Sequence, residues 1–189
     1  MKLLLLQQKK FLVKDTSKDF HTKYGTISSN DLKKSIVKTN KGIKFSVLNP
    51  QFIDIYEKMK RGAQIISLKD IGAIITETGI NKDSKVLDAG SGSGALSCYL
   101  AHIVKEVITY DIEKTAIKIT KENINSLNLK NIKIKNKDVY KKISEKNLDL
   151  VTIDLKEPLN MIDNAYKALK RGGFLVIYTP QITQALKCV

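Results

Sequence analysis

Four aspartates and one glycine-rich turn carry the chemistry that this sequence could perform. Predicted strands lead to Asp88, Asp111, Asp138 and Asp154, and the turn comes directly after the first of these aspartates in KVLDAGSGSGAL, residues 85–96. Glycine lets a backbone approach a ligand closely and tolerates positive φ angles. A carboxylate at the end of an apolar strand is costly unless it has a partner. Together these features predict a binding site for a small polar ligand.

The turn itself has an unusual composition. It reads Gly90, Ser91, Gly92, Ser93 and Gly94, and it leads through Ala95 and Leu96 into a predicted helix. The N-terminus of that helix offers N–H groups without helical partners, which a ligand could use. A tight turn without a ligand is the alternative for the glycines taken alone. The turn lacks the lysine of a Walker-type phosphate loop.

The acidic residues narrow the class of ligand. Asp111 follows the turn by about 20 residues, the spacing at which a carboxylate can bind both hydroxyls of a ribose. Asp138 could accept a hydrogen bond from an adenine amino group while Val139 offers its N–H. A helix cap and a simple turn are the alternatives for these two aspartates. Several carboxylates around one site would repel a phosphate-bearing ligand and favour a cationic adenosine ligand. S-adenosylmethionine is a ligand of this kind.

These residues need a scaffold that brings them together. From Pro50 onwards strands alternate with helices five times, and the strands are nearly continuous apolar runs. This pattern predicts a doubly wound α/β fold over residues 51–189, with a parallel sheet covered on both faces. Ligands bind such sheets beyond the carboxyl ends of the strands. We also expect Asp70 to cap a helix that Gly79 ends.

Residues 1–50 follow a different pattern. Short β-type runs such as KFLVK and IKFSVL are separated by turn residues, and no long helical period occurs. We predict a small N-terminal β module. Its first residues, MKLLLLQQKK, contain too short an apolar run for a signal peptide, and no run approaches the roughly 18 residues of a membrane span.

The composition favours a polyanionic partner. The formal net charge is +14, with 33 lysine and arginine residues of which Arg61 and Arg171 are the arginines. Such an excess suits nucleic acid, although a genome rich in lysine codons gives the same bias.

The cysteines Cys98 and Cys188 have no metal-ligand spacing. We therefore expect no metal, free thiols and a reducing cytoplasm.

Several longer motifs resemble one family. MKRGAQIISLKD is similar to a loop that closes over the cofactor in the tRNA adenine N1-methyltransferases acting on position 58 of the T-loop. VLDAGSGSGAL resembles their glycine motif, IDLKEPL their L-D-L-P-x-P-W and YTPQITQ their Y-x-P-x-x-x-Q. KKFLVKDTSKDFHTKYGTI resembles their N-terminal β module. The likeness is strongest to the bacterial and archaeal homotetrameric kind.

The resemblance implies a Rossmann-like class I methyltransferase sheet and roles for particular residues. The methionine end of S-adenosylmethionine would contact Gln64, Ile65 and Ile66 together with Ser93, Gly94, Ala95 and Leu96. The ribose would bind Asp111, and the adenine Asp138 and Val139. Asp154 would lie between the cofactor and the target base as the catalytic residue. The implied reaction is methylation of adenine N1 at position 58 of tRNA, with position 57 a further candidate, by a cytoplasmic homotetramer.

The sequence also departs from the family pattern. Ser67 and Leu68 replace the usual Tyr-Pro, Leu159 replaces tryptophan, and Asp88 and Asp111 stand where glutamate is common. The family continues past the position of Val189, so we expect its last antiparallel hairpin to be absent. Two other functions are open alternatives, and only the first of them uses the same cofactor. One is a methyltransferase for a small molecule such as a corrin precursor, and the other is a non-catalytic RNA-binding subunit.

Overall fold

The computed structural model describes residues 1–62 and 65–188. The chain forms two compact units, Met1–Met59 and Lys60–Val189, which are described separately. The short helix that follows Pro50 is therefore grouped with the N-terminal unit. The division at residue 50 that the sequence suggests stays a prediction.

The N-terminal unit is the predicted small β module, and its strands pair antiparallel. Its elements are β1 (Lys2–Leu6), β2 (Lys9–Val13), β3 (Phe20–Thr22), β4 (Gly25–Ile27), β5 (Ile36–Lys38), β6 (Lys44–Leu48) and helix α1 (Phe52–Tyr56). Four strands form a sheet in the order β2-β1-β6-β5, and β3 pairs with β4. Strands β5 and β6 alternate buried and exposed residues. Leu4, Ile27 and Phe45 pack in one apolar core.

The second unit alternates helices and strands. Its elements are α2 (Leu68–Thr78), β7 (Lys85–Ala89), α3 (Ala95–Ala101), β8 (Glu106–Asp111), α4 (Lys114–Ser126), β9 (Ile132–Asn136), β10 (Leu148–Ile153), α5 (Ile162–Ala168), β11 (Leu169–Ile177) and α6 (Ile182–Cys188). A 3-10 helix, Pro158–Met161, precedes α5. The described residues of both units contain no helix that is long and apolar enough to cross a membrane.

The five strands of the second unit form one parallel sheet in the order β11-β10-β7-β8-β9. The predicted Rossmann-like α/β fold is thereby confirmed. The chain builds the sheet outward from β7 to β9 and then returns to the other side of β7 with β10. This reversal makes the carboxyl ends of β7 and β10, where Ala89 pairs with Ile153, the point at which such folds bind ligands.

The apolar runs of the central strands are buried, as expected for a sheet covered on both faces. Leu87, Leu150 and Val151 have no exposed surface, and Ile108 has 5%. This core fixes the strand ends, because each strand is held by its neighbours and by the helices packed on it. The side chains that follow the strands therefore start from rigid positions.

The prediction that Asp70 caps helix α2 is wrong. Ser67, not Asp70, is the N-cap residue, and its hydroxyl accepts a hydrogen bond from the backbone N–H of Asp70 at 3.2 Å. The serine side chain is short enough to reach back to this third N–H of the helix, which is the geometry that favours serine at a cap. Gly79 ends the helix with φ 64°, as predicted.

Candidate functional site

Two neighbouring cavities lie at the carboxyl ends of the parallel strands. The larger has a volume of about 250 Å³ and the smaller about 30 Å³. Both are lined by Gly90, Gly92 and Asp154, so they meet at the switch point between β7 and β10. The structure thus brings together most of the residues that the sequence singles out, although they span half of the chain.

The larger cavity contains the residues predicted for the adenosine part of a ligand. Asp111, Asp138 and Val139 line it, together with the apolar side chains of Ile112 and Leu155. One Asp111 oxygen accepts a hydrogen bond from the N–H of Gly92 at 3.0 Å. This bond ties the end of β8 to the glycine turn, so that the carboxylate faces the cavity from a fixed position.

The structure shows whether Asp111 is a helix cap and whether Asp138 stabilises a turn. Asp111 is not the cap of α4, since the N-cap position is Glu113; its second oxygen accepts from the Glu113 N–H at 2.9 Å in a local turn. Asp138 accepts from the N–H of Tyr140 at 3.0 Å, so it does stabilise a turn. The Asp138 turn contact uses one oxygen only. Both Asp111 oxygens already accept a hydrogen bond, and each keeps a second lone pair for a ligand.

The smaller cavity contains most of the residues predicted for the methionine end. Its lining consists of Ile65, Ile66, Asp88, Gly90, Ser91, Gly92, Ser93, Ala95, Leu96 and Asp154. Gln64 lies outside the described residues. Gly94 does not line either cavity, because its α-carbon faces the side chain of Thr120 in α4.

Close packing explains two of the three glycines in the turn. A Cβ on Gly94 would lie 2.8 Å from the Thr120 methyl group, and one on Gly90 would lie 2.3 Å from the carbonyl oxygen of Asp154. Both residues have positive φ angles, 78° and 95°. The turn is therefore thin mainly because other parts of the protein approach it, and Gly92 is the turn glycine whose side-chain position is open.

Asp88 is a buried carboxylate surrounded by hydroxyl groups. It is 1% exposed and accepts hydrogen bonds from Ser97, from Thr152 at 2.8 Å and from Thr109 at 3.3 Å. Burial raises the pKa of Asp88 to about 6, an effect that the three hydroxyls oppose and the nearby Asp154 charge reinforces. The residue therefore lies at the cavity floor as a carboxyl group that titrates close to neutral pH.

This environment predicts a pH-dependent contribution to stability. Between the ordinary pKa of 3.8 and about 6 the folded state binds more protons at Asp88 than the unfolded state does. The free energy of unfolding of the wild-type protein therefore decreases as pH rises through this range. Asp88→Asn removes the titrating group and with it this decrease. The difference in unfolding free energy, variant minus wild type, should therefore increase by on the order of 2 kcal/mol from pH 4 to pH 7.

Urea unfolding at several pH values measures this difference. Asp83→Asn makes the same change at an exposed aspartate that precedes the same strand, and it should run parallel to wild type. A difference between Asp88→Asn and wild type that is flat from pH 4 to pH 7 would contradict the raised pKa.

Asp154 follows β10 and faces both cavities. Part of its surface is exposed, yet the surrounding protein atoms desolvate the carboxyl group and raise its pKa above the usual range. Its backbone N–H donates to the Ala89 carbonyl at 2.9 Å, which holds the strand end in place. Its carboxylate forms no hydrogen bond to the described residues, so it remains available to a bound molecule.

Ser93 provides a test of whether a polar ligand fits. Its side chain is 3% exposed and lines the smaller cavity, but its hydroxyl has no hydrogen-bond partner among the described residues. A buried hydroxyl without a partner is costly. A ligand with polar groups in this cavity would satisfy it, as the amino-acid end of S-adenosylmethionine can.

Several residues around the site were not found from the sequence. They are Tyr110 and the hydroxyl partners of Asp88, which are Ser97, Thr109 and Thr152. Tyr110 forms a wall of the larger cavity, and its hydroxyl donates to Glu145 at 2.6 Å. Threonine inside an otherwise apolar strand was the available signal, because a buried hydroxyl requires a partner.

The described residues contain no group of histidine, cysteine or acidic side chains that could hold a metal ion. Cys98 is buried, which raises the pKa of its thiol to about 12, and Cys188 is also unpaired. What the site offers is instead an apolar cavity with carboxylates at its rim and a buried hydroxyl. This combination suits a cationic nucleoside ligand.

Comparisons with known proteins agree with this geometry. Residues 80–187 match the model of a family described as "Methyltransferase domain". The chain is 34% identical to the tRNA (adenine(57)-N(1)/adenine(58)-N(1))-methyltransferase of Methanocaldococcus jannaschii, over 96% of this chain and 75% of that protein.

Two solved structures share the fold over nearly the whole chain. A structure from Aquifex aeolicus described as a tRNA (m1A58) methyltransferase superposes with a TM-score of 0.82 at 27% identity, covering 98% of this chain and 76% of that one. A structure from Thermotoga maritima described as a SAM-dependent O-methyltransferase has a TM-score of 0.89 at 31% identity and covers 98% and 74%. The two descriptions name different acceptor atoms.

Proposed function

Because the chain belongs to the tRNA adenine N1-methyltransferase family, we propose that it transfers a methyl group from S-adenosylmethionine to N1 of adenine 58 in the T-loop of tRNA. Adenine 57 is a second acceptor, as the name of the Methanocaldococcus relative suggests. The observation that carries the proposal is the position of Asp154. Asp154 lines both cavities, and its carboxylate has no hydrogen-bond partner in the described part of the chain.

The chain's residues fit S-adenosylmethionine in a particular orientation. Asp111 would hold the ribose hydroxyls, and Asp138 with the Val139 N–H would hold the adenine in the larger cavity. Ser93 and the other residues lining the smaller cavity would hold the methionine end, and Asp88 would contribute negative charge to that cavity. When bound, the cofactor supplies an electrophilic methyl group on a positively charged sulfur.

Asp154 would act on the target adenine. N1 already carries a lone pair, so no strong base is needed to create the nucleophile, and positioning dominates the rate. The carboxylate would accept a hydrogen bond from the exocyclic N6 amino group and orient the ring. As N1 gains a methyl group, the ring becomes positively charged, and the nearby carboxylate would stabilise that charge and take up an N6 proton if one is released.

The tRNA itself would bind through its phosphates. A third concave surface of about 390 Å³ adjoins Asp138 and is lined by Lys137, Lys141 and Lys142. Lysines make sequence-independent phosphate contacts that position a nucleic acid. The target adenine lies within folded RNA and would have to leave its stack to reach the site. The family resemblance further leads us to propose a homotetramer that works in the cytoplasm.

Transfer of a labelled methyl group to tRNA transcripts tests the proposal. We expect label in a transcript with adenine at position 58, a primer-extension stop at that nucleotide, and loss of both when it is replaced by guanine. A transcript that also has adenine at position 57 should show a second stop. Labelling that ignores position 58, or no label in any tRNA, would overturn the proposal.

An oxygen acceptor is the second candidate, and the description of the Thermotoga structure is the observation that favours it. The same assay separates the two, because 2′-O-methylation resists alkaline hydrolysis of the adjacent bond and leaves Watson–Crick pairing intact. Transfer to a small molecule such as a corrin precursor without tRNA would support the other methyltransferase alternative. Absence of cofactor binding in calorimetry would support a non-catalytic RNA-binding subunit.

A further inference from the structure

One fully buried polar side chain beside the site has no role in the reaction as proposed. Asn123 lies on helix α4, is 1% exposed, and occupies the buried face of the helix with Ile117 and Thr120. Asparagine is unfavourable in a helix interior and costly to bury. Its presence there needs a compensating set of contacts.

Asn123 uses its amide group on two separate segments. Its Oδ1 accepts from the backbone N–H of Lys60 at 2.8 Å, and its Nδ2 donates to the Lys60 carbonyl at 2.8 Å. Nδ2 also donates to the Ser93 carbonyl at 2.8 Å. One side chain therefore pairs with both backbone groups of Lys60, as a neighbouring strand would, and at the same time holds the glycine turn.

Helix α4 holds the turn at two successive carbonyls. Thr120, one helical turn before Asn123, donates to the Gly92 carbonyl at 3.2 Å, while Asn123 holds that of Ser93. Because both carbonyls are bound on the helix side, the turn cannot rotate without breaking these bonds. The Ser93 hydroxyl is thereby kept in the smaller cavity, where it lacks a partner of its own.

The second segment leads to the opposite wall of the same cavity. Ile65 and Ile66 line the smaller cavity with Ser93, and Lys60 stands a few residues before them. Gly62 also lies near Ser93, since a Cβ built on Gly62 would be in ordinary van der Waals contact with that of Ser93 at 3.7 Å. Asn123 thus joins the wall of the predicted methionine-end pocket that contains Ser93 to the backbone of Lys60.

We propose that Asn123 is a positioning residue for the cofactor: it ties the backbone of Lys60 to the glycine turn and so holds Ser93 in place at the wall of the smaller cavity. The inference rests on the proposed use of S-adenosylmethionine, and it is independent of which acceptor receives the methyl group. It assigns to α4 a function in cofactor affinity, although no side chain of its buried face lines either cavity.

Asn123→Asp tests this with nearly the same volume. The variant keeps an acceptor for the Lys60 N–H, but it turns a carboxylate oxygen towards the carbonyls of Lys60 and Ser93, which then lack a donor. We expect the Kd for S-adenosylmethionine, measured by calorimetry without RNA, to rise about tenfold. The KM for the cofactor should rise by a similar factor, with kcat at saturating cofactor within about twofold of wild type.

Asn125→Asp is the matched control, because it makes the same change on the same helix at an exposed side chain. Glu122→Gln is a second control, since it removes the ion pair with Lys60 Nζ, 2.5 Å away, without changing the Asn123 amide. Both should bind the cofactor like wild type. A larger effect of Glu122→Gln than of Asn123→Asp would overturn the proposal.

Asn123→Ala separates positioning from stability, because it removes the three hydrogen bonds without adding a charge. If either Asn123 variant is folded and binds S-adenosylmethionine with the wild-type Kd, the proposal is overturned, even if its melting temperature falls. If wild type itself does not bind the cofactor, the proposed function fails together with this inference. Wild-type binding with no transfer to tRNA would overturn only the proposed function.

Discussion

Asp154→Asn is expected to lower kcat for methyl transfer to tRNA by about 10²- to 10³-fold and to leave the Kd of S-adenosylmethionine within about threefold of wild type. The amide keeps the size of the side chain, but it cannot stabilise the positive charge that develops on the adenine ring. The carboxylate also forms no hydrogen bond to the described residues, so its replacement should disturb little of the fold. Single-turnover transfer and calorimetry measure the two quantities separately.

The pH profile gives this prediction a second readout. Asp154 must be ionised to accept a proton or to stabilise a cation, and burial raises its pKa above the usual aspartate range. Activity should therefore fall as pH decreases through that raised pKa. Asp88, with a pKa of about 6, also titrates nearby. The decrease in kcat at low pH that wild type shows and Asp154→Asn lacks is the one caused by protonation of Asp154.

Asp163→Asn is the control for the loss of one negative charge, since Asp163 is exposed in the first turn of α5. It should transfer methyl groups like wild type. If Asp154→Asn loses cofactor binding and transfer to the same extent, Asp154 belongs to the cofactor pocket and is not the catalytic residue. If it retains wild-type kcat, the adenine is oriented by another group.

The sequence was sufficient to predict the sheet and the position of the site because both depend on local patterns. Apolar runs alternating with amphipathic segments imply a parallel sheet, and the chain direction then places the end of every strand at one edge. Asp111, Asp138 and Asp154 each stand at the end of a predicted strand, so their meeting could be predicted without knowing the strand order. Only their assignment to one cavity or the other required the structure.

The contacts that hold the site could not be predicted, because they join residues far apart in the chain. Asn123 gave no signal, since an asparagine in an amphipathic helix is ordinarily exposed, and its partners Lys60 and Ser93 are recognised through their backbone atoms. The same holds for Gly94, whose need for a missing side chain comes from Thr120 on α4. A glycine motif indicates that something comes close, but its sequence does not say whether that is a ligand or the protein.

Gly90→Ala is expected to have the largest structural effect of any single substitution in the turn. The new Cβ would lie 2.3 Å from the Asp154 carbonyl oxygen and 3.2 Å from the Leu155 side chain, at a residue with φ 95°. The strand end cannot yield easily, because the Asp154 N–H is bound to Ala89. Overpacking and the positive φ together should reduce the free energy of unfolding by about 2–4 kcal/mol.

The folded fraction of this variant should also lose catalysis, because the clash acts on the backbone of the residue that we place against the target base. A displacement of about 1 Å there is enough to cost about 100-fold in rate. Gly172→Ala is the matched control: Gly172 has φ 76° and open space around the added Cβ, so it reports the backbone strain alone, about 1 kcal/mol. Urea unfolding and transfer by the folded fraction compare the two variants. Equal stability and equal rates for both variants would mean that the Asp154 backbone does not constrain the turn. Close approach of a ligand would then be the reason for glycine at position 90.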